Sequence, residues 1–409
     1  MFKIIKQSIG IGLILSSLAT VAMAGGTAAP VEEAACSGAD TGYDKGFFIK
    51  TCDENYSLKV KGRLQTRFAM EKHDAGLAAG SDTQSFMIRR ARLDFSGNVF
   101  NQNLTYDIQL DLTGIASAVD NNIIYYAFMN YKVWDELQFL AGLHKIHFNR
   151  QEITSSGKQQ FVDRSLANER FNLDRSIGLL VHGDVADKKF EYYLSVVNGR
   201  NTRASINTNQ ELGYIGRVVW NPLGEYGYEE SDIKHSDELA LTVGAAGALF
   251  HEESTVAAGN QDRVISTNAD VGVKYKGFSF QAEGFYRLTD PNQLLPQQTD
   301  MGFYAQAGYF IVPKHFEIAV RSSMLFDDTT GVGQNVNMNN GSLTGLGGVN
   351  DGVDETADSD NESEYSAALN YYFKGHDIKL QGQYSLILDR SAGASFKNHI
   401  AMLQTQIGF

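Results

Sequence analysis

From Lys397 to Phe409 (KNHIAMLQTQIGF) polar and apolar residues alternate, with Leu403, Thr405, Ile407 and Phe409 on one face and Gln404 and Gln406 on the other. Period-two alternation reads as a β-strand with one apolar and one wet face. The pattern recurs along almost the whole chain after residue 56. Sixteen segments can be drawn: 57–70, 84–97, 103–113, 121–133, 137–147, 175–186, 189–199, 211–220, 238–251, 263–276, 277–288, 300–311, 315–326, 362–373, 376–388 and 397–409. Connections after even-numbered segments are short (98–102, 134–136, 276–277, 312–314, 374–375). Those after odd-numbered segments are longer, most of all 148–174 and 327–361. The stretch 221–237 breaks the rule as a long connection on the short side.

No segment after the N-terminus has the length of an apolar spanning helix. A chain of this kind crosses a bilayer only as a closed barrel, in which every backbone polar group finds a partner. The reading is therefore all-β: a transmembrane antiparallel barrel of about sixteen strands over 56–409, with short periplasmic turns, long extracellular loops, apolar faces outward and polar faces inward. Sixteen strands leave an aqueous channel that side chains do not fill. Trp134 and Trp220, with Tyr371, Tyr372 and Phe373, fall at short-turn ends of strands, where an aromatic girdle sits at the bilayer interface.

The N-terminus places the chain. Lys3 and Lys6 precede the apolar run Ile9 to Ala22, and Ala22-Met23-Ala24 is an A-x-A cleavage site. Residues 1–24 read as a secretory signal peptide, 25–55 as a periplasmic N-terminal segment, and the destination as the outer membrane of a Gram-negative bacterium. Cys36 and Cys52 are the only cysteines. In an oxidising periplasm such a pair can close a disulfide that staples this segment. With no histidine nearby, a metal site is disfavoured. A mean hydropathy of −0.25 looks soluble, but lumen-facing polar residues lower the mean of any barrel. The five prolines all lie outside the sixteen segments, as paired strands require.

The charges supply the candidate chemistry. On the first segment Lys59, Lys61, Arg63 and Arg67 share a face, interrupted by Gln65, opposite Leu58, Val60, Leu64 and Phe68. Basic residues facing lipid at mid-depth cost several kcal/mol, so this row points into the lumen. Arg90 and Arg92 join it from the second segment, whereas Arg89 has lipid-side parity and is expected to snorkel or meet a neighbouring subunit. Asp107 and Asp111 share the inner face of the third segment. The cations form a row able to pass an anion from site to site, or they pair with these carboxylates. The segment 148–174 is the candidate inward-folded constriction loop. Its cations Arg150, Lys158, Arg164, Arg170 and Arg175 alternate with Glu152, Asp163, Glu169 and Asp174, the composition of an ion-paired, ordered loop. Without Lys3 and Lys6, 33 basic face 48 acidic residues, a net charge of −15. Much of that excess (Asp327, Asp328, Asp351, Asp354, Glu355, Asp358, Asp360, Glu362, Glu364) clusters around one outer loop, read as a solvated surface bridged to lipopolysaccharide by divalent ions.

The run Phe86 to Gly97 (FMIRRARLDFSG) resembles the arginine-rich strand of the phosphate-selective porin O/P family. Tyr56 to Gln65 (YSLKVKGRLQ), Leu140 to Lys145 (LAGLHK) with Thr154-Ser155-Ser156, Gly216-Arg217 before Asn221-Pro222, and Gln404 to Phe409 are similar to further parts of it. The resemblance implies a homotrimeric, sixteen-stranded outer-membrane channel that passes small anions, phosphate above all, without a cofactor. Permeant contacts then fall to Lys59, Lys61, Arg63, Arg67, Arg90, Arg92, Asp107 and Asp111, with Lys158, Arg164 and Arg170 from the loop. A general or cation-preferring porin on the same fold is the runner-up. An enzymatic barrel needs a serine, histidine and carboxylate cluster, yet His144 and His147 stand at odd spacing and the other histidines have no partner motif. A soluble β-sandwich or an adhesin is the remaining rival, and nothing suggests nucleic acid as a partner.

Overall fold

The computed structural model describes residues 38–409 apart from 74–81, 114–122, 201–206, 208–209, 254–260, 292–296, 328–360 and 391–395. The expected signal peptide, Cys36 and most of the acidic outer loop lie outside the described residues. Cys52 is disulfide-bonded.

A short hairpin of β1 (Ala39–Tyr43) and β2 (Phe47–Thr51) precedes sixteen longer strands. These are β3 (Ser57–His73), β4 (Thr83–Asn98), β5 (Leu104–Asp111), β6 (Ile124–Trp134), β7 (Leu137–Lys145), β8 (Arg175–Val185), β9 (Phe190–Val197) and β10 (Gly213–Trp220), followed by β11 (Ala240–Glu253), β12 (Gln261–Tyr275), β13 (Phe278–Asp290), β14 (Gln298–Val312), β15 (Phe316–Asp327), β16 (Asn361–Lys374), β17 (Ile378–Arg390) and β18 (Phe396–Gly408). Each pairs antiparallel with its sequence neighbours, and β18 pairs with β3 from Asn398↔His73 to Gly408↔Arg63. The result is a closed sixteen-stranded antiparallel barrel. All sixteen expected segments are strands, with ends shifted by a few residues.

Closure is completed at Gly62 and Phe409, which exchange backbone hydrogen bonds of 2.7 and 3.0 Å. A Cβ on Gly62 would stand 2.2 Å from the Phe409 ring, so only glycine leaves room for the ring at the seam. Beyond the end of β18, β2 takes over the same edge of β3 through Phe47↔Val60 to Lys50↔Ser57. The 25–55 segment is thus partly an extension of the sheet.

Burial alternates as the sequence does. Along β13 every second residue from Ser279 to Thr289 is buried, and Leu403 and Ile407 of β18 are exposed while Gln404 and Gln406 are buried. The outward faces carry an apolar band, and Trp134, Trp220, Tyr371, Phe373, Tyr275 and Tyr309 are exposed near the short-turn rim. Tyr372 departs from the expected girdle, since its parity turns it inward and buries it. The connections at this rim are tight. Lys276 and Gly277 both have positive φ, 48° and 82°, as the two central residues of a type I′ hairpin turn require.

Two features depart from simple parity. Facing Gln65 and Thr66, β4 contains a bulge that leaves Arg89 as the extra residue. Arg89 therefore does not face lipid: the bulge re-aims it inward, with its Nε 3.5 Å from Asp163. The inner wall is also not uniformly polar. Val197, Ile215, Phe250, Val264, Phe285, Tyr304 and Leu325 face inward and close a core with Ile146, Phe148, Leu166, Ala167, Phe171 and Leu173 of the β7–β8 connection.

Candidate functional site

The β7–β8 connection, 146–174, enters the barrel as an ordered loop with two short helices, α1 (Arg150–Ile153) and α2 (Leu166–Phe171). Helix N-termini carry unpaired N–H groups and partial positive charge, and the wall supplies acceptors for both. Glu283 of β13 accepts from the backbone N of Arg150 (2.9 Å) and of Gln151 (2.6 Å). Glu364 of β16 accepts from Leu166 N at 2.9 Å, and Ser323 Oγ from Ala167 N at 2.9 Å. Between the helices the wall bonds the loop backbone again. Asn370 and Lys379 donate to the carbonyls of Gln160 and Gln159 at 2.7 and 2.8 Å, and Gln383 accepts from Val162 N at 2.8 Å. Expected as part of a solvated outer surface, Glu364 is instead fully buried and also pairs with Arg321 at 2.6 Å. Its inward parity on β16 is the cause.

Most of the basic row meets this loop. Asp163 accepts from Arg67 Nη1 at 2.6 Å and from Arg90 Nη2 at 3.1 Å, with Arg89 close by. Burial alone would raise the Asp163 carboxyl, but the guanidiniums of Arg67, Arg89 and Arg90 hold it well below the usual carboxylate range. Arg67 and Arg90 are only 1% and 4% exposed and act as anchors of the loop. Arg164 pairs with Glu152 at 3.0 Å and donates to the carbonyls of Gln151 and Thr154. Arg170 is half-buried at the end of α2, its carbonyl accepting from Arg287 at 3.4 Å. Desolvation pushes the carboxyl of Glu169 up to about 7.

Register sets the remaining pairs. Lys61 lies opposite Asp94 and Arg92 opposite Asp111, with ion pairs of 3.0 and 2.8 Å. Lys59 reaches Asp44 at 3.2 Å. The guanidinium of Arg92 also packs on the Tyr125 ring, 3.5 Å from its centroid. Asp107 is half-buried on the inner face and has no ion pair among the described residues. The exposed Lys158 stands at the loop tip.

Arg63 differs from its neighbours. It is half-buried and makes no ion pair among the described residues. Its Nη1 donates to Ser155 Oγ at 2.9 Å and its Nη2 to Ser156 Oγ at 3.1 Å, and Arg92 Nη1 reaches the same Ser156 Oγ at 3.2 Å. Gly157 permits this approach, because a Cβ there would stand 2.4 Å from Arg63 Nη1. The structure thus brings Arg63, Arg92, Asp111 and the loop together, and leaves Lys59 and Lys61 toward the short-turn rim.

Sequence reasoning missed the wall carboxylates that seat the loop, above all Glu283 and Glu317. Glu317 accepts from Gln160 Nε2 at 2.6 Å. Their signal was a lone inward-parity carboxylate on an otherwise uncharged stretch of strand.

The sequence model of a family described as phosphate-selective porin O and P matches residues 58–406. The chain belongs to that family. The porin is 23% identical over 311 residues to an uncharacterized protein of Aquifex aeolicus (strain VF5), covering 66% of this chain and 74% of that one. Among solved structures, the outer membrane channel DcaP of Acinetobacter baumannii matches with TM-score 0.59 and 13% identity, over 88% of this chain and 99% of its own. An anion-selective porin from Comamonas acidovorans matches with TM-score 0.57 and 11% identity, over 87% of this chain and all of its own. Family and fold together make this porin a multi-pass β-barrel channel of the Gram-negative outer membrane.

Proposed function

We propose that the channel passes small hydrated anions by passive diffusion, with phosphate the favoured permeant, and works as a homotrimer. The observation that carries this reading is the state of Arg63. Its two Nη groups donate to neutral serine hydroxyls, whereas Arg67, Arg90 and Arg92 share their donors with carboxylates. A guanidinium bonded to a carboxylate gains the Coulomb attraction of two opposite charges beyond the hydrogen bond itself, which a hydroxyl acceptor does not supply, so an arriving anion displaces Ser155 and Ser156 from Arg63 far more readily than Asp163 from Arg67. Lys59 and Lys61 stand toward the short-turn rim, and Lys158 at the loop tip. Each offers the anion a point charge in exchange for lost hydration, and the ion pairs of Lys59 with Asp44 and of Lys61 with Asp94 keep binding there weak enough for release. The long-loop rim faces outward, its acidic loop meeting lipopolysaccharide through divalent ions. Trimeric assembly follows the resemblance, and cross-linking in mild detergent that yields monomers alone would refute it.

A general or cation-preferring channel is the second reading, favoured by the acidic excess of the mature chain and by Asp107 on the inner face. A planar-bilayer reversal potential under a KCl gradient, followed by phosphate titration of the chloride current, separates the two. Anion-sided reversal with phosphate block supports the first reading. Cation-sided reversal without block replaces it with the second.

A further inference from the structure

The β10–β11 connection is the long segment at the short-turn rim, and it folds into the barrel. Asn221, Tyr226, Glu230, Ser231 and Asp232 are buried. The backbone N of Glu230 donates to Lys158 O at 3.3 Å. Its Oε2 accepts from Gln160 N at 2.7 Å and its Oε1 from Gln151 Nε2 at 3.1 Å. Upstream, Gly227 O accepts from Arg150 Nη1 at 3.3 Å, and the Arg150 guanidinium lies 5.2 and 5.0 Å from the ring centroids of Tyr226 and Tyr228. Downstream, Ser231 Oγ donates to Glu317 Oε2 at 3.0 Å, the carboxylate whose other oxygen holds Gln160.

Glu230 therefore grips the inner loop on both sides of Ser155 and Ser156, the hydroxyls bonded to Arg63. We propose that Glu230 is a positioning residue of the channel: reaching in from the short-turn rim, it fixes the loop tip against Arg63 and so sets conductance and ion preference. This inference rests on the channel reading of the fold and not on phosphate as permeant. Without the carboxylate, Gln160 N is left as a buried donor with no acceptor and Gln151 Nε2 keeps only Gln306 Oε1, at 3.3 Å, a cost that the loop relieves by shifting toward water. That shift takes Ser155 and Ser156 off Arg63. A glutamine keeps one carbonyl acceptor and half of the grip.

The test is single-channel recording of E230A and E230Q in planar bilayers, with E225Q as control, because among the described residues the exposed Glu225 pairs only with Lys188 at the rim, 3.0 Å away. Heat-modifiable migration first establishes that each variant has closed its barrel. The expected result is a conductance different from wild type in E230A, with excess open-channel noise and a shifted KCl reversal potential. E230Q should be intermediate and E225Q unchanged. A closed E230A barrel with wild-type conductance, noise and reversal potential overturns the proposal. Should E230A fail to close, E230Q carries the test, and wild-type noise and reversal in it overturn the proposal. Phosphate is absent throughout, so the outcome is independent of the permeant.

Discussion

Replacing Arg63 with glutamine removes the arginine charge of the basic row that, among the described residues, is bonded only to neutral hydroxyls, while leaving an amide able to donate to Ser155. A permeating monovalent ion passing roughly 5 Å from that position feels about 0.8 kcal/mol from a unit charge in water-like dielectric. At 0.1 M salt, with a Debye length of about 10 Å, screening reduces this to about 0.5 kcal/mol. That is about a twofold change in local concentration for each sign of ion, and about a fivefold fall in the anion-to-cation permeability ratio. The assay is the reversal potential of R63Q against wild type under a KCl gradient, repeated at higher salt, where the difference should shrink. An R63Q ratio equal to wild type at 0.1 M, or one shifted toward anions, refutes the assignment of Arg63 to the permeation path.

Three further outcomes are expected. D163N leaves Arg67, Arg89 and Arg90 without their shared carboxylate, which costs about 3–5 kcal/mol for a broken buried pair; the expected readout is faster hydrogen exchange in 159–165 with the barrel strands unchanged. F171A removes a ring stacked on Phe285 at 5.3 Å between centroids and costs about 3–5 kcal/mol of loop docking, measured as protease cleavage within 166–173 of an otherwise heat-modifiable barrel. Glu169, raised from 4.5 to about 7, holds more protons folded than unfolded across that window, so loop stability falls as pH rises through it; anion preference should also fall as pH passes 7 and the carboxylate charges, and E169Q should abolish both trends.

The barrel was legible because lipid and water impose period two on every spanning strand. In β18, Leu403 and Ile407 could face only outward, and Gln404 and Gln406 only inward. The basic row was legible for the same reason. Parity failed where one residue too many enters a strand: Arg89 is counted outward by alternation, and only the ladder facing Gln65 and Thr66 reveals the bulge. It also said nothing of what fills the interior. Phe250, Phe285 and Leu325 face inward because the inner loop brings its own apolar surface to meet them. Asp163 reaches Arg67 across 96 residues of chain, and spacing carries no signal for a contact of that range. Glu364 looked like one more acid beside an acidic loop until its strand register placed it under α2.

Closure of the sheet by its first and last strands has a consequence for biogenesis. Gln65 and Gln406, hydrogen-bonded at 2.6 Å, are 341 positions apart, so the final ladder cannot form until β18 has been exported. Until then β3 and every partly assembled sheet expose an unpaired edge, a template for pairing with other chains. Contacts of such range are also slow to form, because the ordering cost of the intervening chain comes before any gain. Any route to the folded barrel therefore has to keep those strand edges away from other chains until β3 and β18 meet.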